Sequence, residues 1–368
     1  MRVNEGTNAI TPEVYTGDAI NPFQMSIYRA LAGGCTVSHA LHGSANSIGG
    51  QSQTIKHRYG TYDPEAMKME GAPRTIKFAL GENPTGHGRR DGLQPQTRMG
   101  VEFVIRQAFS SAKEYAAKWD AYNKNKMMKG FRGAPPAYSL RYETLADIIS
   151  GKIILHCHSY RADEIQMLLK VCKDFGIKRL VFQHTNEGFK VAPELAAAGA
   201  MASVFADWWQ YKLEVYFSTA YNAAILTKNG VVTSINSDSP DLIRHLYHEA
   251  AKTQKYGGLS DDEALSLITI NPAKQLGIES RAGSIEMGKD GDFAYLRIIH
   301  FPFMAFLNTP SWTELFALIG KRMPMTCASC QIRKKLLTSL FSNPDSIMTI
   351  ACRMPSIYLM FLMRAINN

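Results

Sequence analysis

The sequence predicts an α/β protein built on a (β/α) barrel, and three observations predict it. Apolar or β-branched runs alternate with segments of helical periodicity. The helical segments end near glycines, where a chain turns back into a strand. Ionisable side chains stand at the carboxyl ends of several of the strand-like runs, the end at which such folds collect their ligands. A doubly wound parallel sheet shares this rhythm, and periodicity alone leaves it open.

Taken in order, "SIYRALAGG" reads as a helix closed by glycine and "CTVSHALHG" as the strand after it. "QSQTIKHRYG" and "TIKFALGEN" follow as further strands, and the polar run "HGSANSIGGQ" reads as a loop at the barrel mouth whose glycines permit a tight turn. "MGVEFVIRQAFSSAKEYAAKWDAYNKNK" has helical periodicity with a charged outer face. The loop-like "KGFRGAPPAYSLRYE" leads into the short helix "YETLADIISGK". Ile153, Ile154 and Leu155 then form an apolar run suited to a buried parallel strand, and the spacing of Ile165, Leu168 and Leu169 suits the inner face of the next helix. From there the rhythm is regular: strand "RLVFQH", helix "KVAPELAAAG", strand "MASVFAD", helix "YNAAILTKNG" and strand "VVTSINSDSP". Helices "LIRHLYHEAAKTQKYGG" and "SDDEALSLITINPAKQLG" close the array. From Arg297 onward the βα rhythm stops, and residues 297–368 form a tail with no assigned fold.

With 368 residues the chain is long enough for one barrel-sized domain or two smaller ones. Its net charge of +9 is concentrated in the tail, where eight Lys or Arg face only Glu314 and Asp345, a surplus of six. The remainder is nearly balanced and carries no basic stripe interleaved with aromatics, which argues against a nucleic-acid partner. Six scattered cysteines do not make a disulfide framework, and the Cys327–Cys330 pair lacks the second pair a zinc site needs. The beginning shows no signal peptide, and the apolar tail segment is broken by Pro302, Pro310 and Glu314, so no membrane span is expected. Compartment is not readable, and a homo-oligomer is left open.

Chemistry-bearing residues mark successive strand ends. His156 and His158 share one strand face, since side chains at i and i+2 point the same way. His184 ends the next strand, Asp238 the last, and Lys77 lies in an earlier one. Imidazoles and a carboxylate converging on a barrel mouth suit a divalent metal, with zinc the usual occupant of such a set. For a lone histidine the blander reading, a hydrogen-bonded core residue, is the better one. Asp207, Trp208 and Trp209 end another strand, where they shape a pocket or simply pack. His245 and His248 lie at i, i+3 on a helix, and no HExxH pattern supports a metal role.

The stretches "HCHSYRADEI", "VFQHTNEGFKVAPELAAAGA", "NSDSP" and "TINPAKQLGIESRAGSIEMGKDGDFA" resemble the amidohydrolase superfamily, especially its imidazolonepropionase-like branch. The resemblance runs from about Asn4 to about Phe293. It implies a (β/α)8 TIM-type barrel over 1–280 and a remnant of a small β-sandwich over 281–296. It implies one or two bound divalent metals and hydrolysis of carbon–nitrogen bonds in a small-molecule substrate. His156 matches the ligand of the family's fifth strand, His184 that of the sixth and Asp238 the aspartate of the eighth. His158 is the alternative fifth-strand ligand or a substrate-orienting group. Lys77 stands where two-metal members carry a carboxylated lysine, with an exposed strand-end lysine as the equal alternative and Lys56 as a weaker candidate.

By this resemblance Asp238 takes a proton from metal-bound water and passes it to the leaving nitrogen, while His184 or His158 stabilises the developing oxyanion. No His-x-His precedes His156, so the barrel is expected to lack its first strand. A catalytically degenerate barrel that binds a ligand and a deaminase of the same superfamily are the competing expectations.

Overall fold

The computed structural model describes residues 4–209, 211–292 and 294, together with the backbone of 351–354 and 357–360. The chain divides into two compact units, Met1–Lys289 and Asp290–Asn368. The first holds one sheet of seven strands in chain order: β1 (Val37–Ala40), β2 (Ile48–Lys56), β3 (Arg74–Ala79), β4 (Ile153–Ser159), β5 (Leu180–His184), β6 (Met201–Val204) and β7 (Thr233–Ile235). Helices α1 (Met25–Ala32), α2 (Glu82–Asp91), α3 (Arg98–Asn125), α4 (Leu140–Ile149) and α5 (Ala162–Phe175) precede β5. After it come α6 (Ala192–Ala197), α7 (Asn222–Lys228), α8 (Leu246–Gly257), α9 (Asp261–Ser266) and α10 (Ile270–Leu276). In the second unit β8 (Ala351–Met354) pairs antiparallel with β9 (Ile357–Met360).

From β3 to β7 every pairing is parallel, as the βα rhythm predicts. The start of the sheet corrects that expectation, because β1–β2 and β2–β3 are antiparallel. Antiparallel neighbours need only a turn between them, whereas a parallel crossover ordinarily carries a helix. The β1–β2 connection is short, and the β2–β3 connection contains only the 3₁₀ turn Glu65–Met67. The result is a mixed α/β fold whose open sheet agrees with an incomplete TIM-type barrel. The segment read as one closing helix is two, α9 and α10, separated by a turn at residues 267–269. Residues 281–292, expected to begin the sandwich remnant, form turns without a strand. Cys327, Cys330 and nearly all of the 297–368 tail lie outside the described residues.

Strand alternation gives the sheet two unlike faces. On β4, Ile153, Leu155 and Cys157 join the main apolar core, together with Ile76 and Phe78 of β3 and Leu180 and Phe182 of β5. Ile165, Leu168 and Val171 of α5 pack into the same cluster. Each large side chain so buried contributes roughly 1.5–3 kcal/mol. The alternate positions, including Thr75, Lys77, His156, His158, Gln183 and Ser203, are buried and polar. α5 stops at Gly176, whose φ of 78° is the left-handed cap that an L side chain adopts only with strain.

Candidate functional site

Register places the polar residues in tiers on the inner face. Lys77 lies beside His156, Ala79 beside His158, and His158 beside Gln183. The two histidines of β4 are therefore one pleat apart on one face, as their i, i+2 spacing predicts. The strand runs on to Ser159, so His156 sits in its middle and His158 is the one near its carboxyl end.

His184 would point to the other face if β5 continued its alternation. Its φ is +70°, followed by +40° at Thr185, and Asp238 has +43°. These are the non-glycine residues with positive φ among the described residues, and such conformations are uncommon for side-chain-bearing positions. The left-handed turn brings the His184 ring within 4.8 Å of the His158 ring. Its Nε2 then lies 4.0 Å from Asp238 Oδ2, which remains exposed three residues beyond β7.

Burial governs the electrostatics. His156, His158 and His184 are held neutral, their pKa pushed well below the usual range first by desolvation and then by neighbouring charges, Lys77 among them. Desolvation also depresses the Lys77 amine, against the opposing pull of Asp238. The protein wall around Asp238 raises its carboxyl, with Lys77 and Lys212 acting the other way.

These features suit metal ligation in donor chemistry. His156 Nε2, both ring nitrogens of His158 and His184 Nδ1 are buried without a hydrogen-bond partner, and neutral imidazole is the ligating form. The geometry brings together His158, His184 and Asp238 at the mouth. His156 and Lys77 sit one pleat deeper, with His156 Nδ1 hydrogen-bonded to Gln183 Nε2 at 2.9 Å. Among the described residues no group of three or more His, Cys, Asp and Glu side chains is arranged to hold one ion. Lys56 is at the other end of the sheet, four residues beyond the Ser52 that pairs with Thr75. His245 and His248, both half-buried at the start of α8, stack on each other with ring centroids 5.4 Å apart.

Several contributors escaped sequence reasoning. His39 of β1 faces inward, hydrogen-bonded through Nε2 to Thr75 Oγ1 at 2.7 Å and packed edge-on against His156 with centroids 4.5 Å apart. Burial, and then Lys77, pushes its pKa down to about 3. The signal was present in "TVSHA", where His39 sits on the face of Val37 in alternation, but a lone strand histidine has no spacing partner. Tyr160, Tyr211 and Lys212 close the mouth: the Tyr160 hydroxyl meets that of Tyr211 at 2.8 Å, and Lys212 Nζ lies 4.2 Å over the Tyr160 ring.

The loop after β6 is pinned by charge at both ends. Asp207 Oδ2 accepts from Lys252 at 2.6 Å, while Trp208 stacks on Phe205 and Phe205 on His184. Trp209 stays half exposed. Further along, Glu214 accepts from the Glu82 backbone N–H and pairs with Arg98 at 2.6 Å, and Arg98 also pairs with the buried Glu164 at 2.7 Å. Gly81 makes this approach possible, since a Cβ there would meet Glu214 Oε1 at 2.5 Å.

The sequence model of the Amidohydrolase family matches residues 208–316. An amidohydrolase from Thermotoga maritima MSB8 has a crystal structure similar to this chain at a TM-score of 0.72 and 34% identity, over 78% of this chain and 73% of that one. The amidohydrolase TasK of Hapsidospora irregularis is 32% identical over 78% of this chain. The chain spans 31% of the length of that curated relative.

Proposed function

This chain belongs to the amidohydrolase family, and from that premise we propose that it is a metal-dependent hydrolase of carbon–nitrogen bonds in a small molecule. One observation carries the proposal: buried, neutral imidazoles with unpartnered nitrogens line one sheet face beside an ionisable aspartate. His156, His184, Asp238 and Lys77 are the groups proposed to hold one or two divalent ions, zinc being the best match to nitrogen and carboxylate donors. When bound, such an ion lowers the pKa of water to roughly 7 and polarises a carbonyl.

In this reading Asp238, exposed at the mouth with a raised pKa, takes a proton at Oδ2 and returns it to a leaving nitrogen. Its neighbour His184, or His158 beside it, presents ring nitrogens toward charge developing on a carbonyl oxygen. Phe205, Trp208 and Tyr160 wall the cluster and limit water access.

The test is the metal content of the purified full-length chain, before and after zinc or manganese supplementation, alongside hydrolysis of simple amides, cyclic amides and dipeptides. One or two equivalents of metal and chelator-sensitive hydrolysis support the reading. A second reading, a catalytically degenerate barrel that binds a ligand, is favoured by the lack of any three-donor cage among the described residues. Persistent absence of metal after supplementation selects it.

A further inference from the structure

We propose that residues 211–217 are a movable strap over the histidine cluster, held shut by Glu214 on Arg98 and opened when that pair parts to admit a small molecule. The proposal rests on the reading of that cluster as the working site and adds the way into it.

The need for a strap comes from burial. His158 and His184 are almost wholly covered. Tyr160 lies against both, with ring centroids 4.5 and 5.7 Å away, and is itself buried. Two strap residues cover Tyr160: the Tyr211 hydroxyl meets its hydroxyl at 2.8 Å, and the buried Val215 joins it in a small apolar cluster with Phe205. A molecule that reaches the imidazoles from this side must displace them. The strap is built to allow it. It holds a single 3₁₀ turn, Leu213–Val215, and Leu213, Tyr216 and Phe217 project into solvent, so little apolar area holds it down. Segments with few buried apolar contacts open at low cost.

What holds it is charge. Glu214 Oε1 accepts from Arg98 Nη2 at 2.6 Å and from the Glu82 backbone N–H at 2.8 Å, in a seat left open by the bare α-carbon of Gly81. Lys212 adds a second tie to the first turn of α2, donating to Asn83 Oδ1 at 2.8 Å and pairing with Glu82 at 3.3 Å. The partners are arranged so that parting strands no carboxylate. Arg98 also pairs with the buried Glu164 at 2.7 Å and stays with it. Lys212, on the same strap and 3.8 Å from Glu214, moves with that acid. Arg98 and Glu82 both reach water, so each rehydrates when the strap lifts. Breaking a buried ion pair is costly chiefly when it leaves a lone buried charge, and this arrangement leaves none.

The test is hydroxyl-radical footprinting of the full-length chain as purified, read by mass spectrometry at Tyr160 beneath the strap and at Phe78 and Phe182 in the main core. Glu214→Gln keeps an acceptor for the Glu82 N–H and removes the charge that Arg98 grips. It should raise oxidation of Tyr160 about tenfold, the difference between a charged and a neutral hydrogen bond, with Phe78, Phe182 and the melting temperature unchanged. Raising the ionic strength from about 0.1 M to about 1 M should speed oxidation of Tyr160 in wild type and leave Glu214→Gln unmoved. Should the glutamine variant unfold, Arg98→Lys, which keeps a cation but loses the forked grip, carries the same expectation at smaller size. A wild-type rate at Tyr160 in the folded variant, no salt response in wild type, or a rise shared by Phe78 and Phe182 overturns the proposal. A latch-dependent opening in a chain that neither binds metal nor hydrolyses an amide upholds the strap and counts against the hydrolase reading alone.

Discussion

Two aspartates at opposite ends of the parallel strands show how differently the ends are built. Asp147, in α4, meets Arg74 at the start of β3 and Lys152 just before β4, at 2.5 and 2.9 Å. Burial works against its ionised form, but those two cations prevail and hold its pKa below the usual range. Asp238, past the other end, has a left-handed backbone, an imidazole 4.0 Å away and a raised pKa. One carboxylate is fully matched and the other is held without a close partner. Matching groups at the amino end stabilises the fold, and under the proposed function the unmatched group at the carboxyl end is the one that meets a ligand.

The sharpest break of this contrast is Asp238→Asn. It should lower turnover by about 10²–10⁴-fold, the usual worth of a proton-transfer group, with the melting temperature unchanged. Steady-state kinetics on any hydrolysed amide, paired with a thermal melt, decides it; full turnover in the variant refutes the assignment.

Asp147→Asn should do the reverse, costing on the order of 1 kcal/mol of stability near neutral pH and leaving turnover intact. The sign of its pH dependence follows from the lowered folded-state pKa. The stabilisation is present above the unfolded carboxylate value of about 4 and fades as pH falls through the lower folded value. Denaturant melts of both proteins from neutral to strongly acidic pH should therefore converge at the acid end. A gap that persists there would mean the loss lies in packing. Gly176→Ala should cost a similar amount at every pH, since a Cβ there meets nothing within 4 Å and only the positive φ opposes it. A loss of about 1 kcal/mol with no kinetic effect is expected from the same melts.

What the sequence disclosed follows physical lines. The helix-strand rhythm after His158 was legible because burial on both faces writes continuous apolar runs, as in β4 and β5. Strand direction was not, since the periodicity of "QSQTIK" is the same whether its neighbour runs parallel or antiparallel. His158 and His184 were found from their place at the ends of apolar runs. The turn that swings His184 across to meet His158 is a backbone event that no side-chain pattern records. The position of Lys212 was invisible for a related reason: it lies in an irregular loop, and its seat over the Tyr160 ring is set by packing between segments distant in the chain.

The bare α-carbon of Gly81 has a consequence for sequence drift. Its φ of 81° disfavours any L side chain, and a methyl group there would in addition press on the Glu214 carboxylate, so the position is held to glycine by backbone and neighbour together. Among homologous sequences, glycine should therefore persist at the position of Gly81 even where the acid at that of Glu214 is lost. Where that acid is lost, Arg98 keeps Glu164 as its remaining partner.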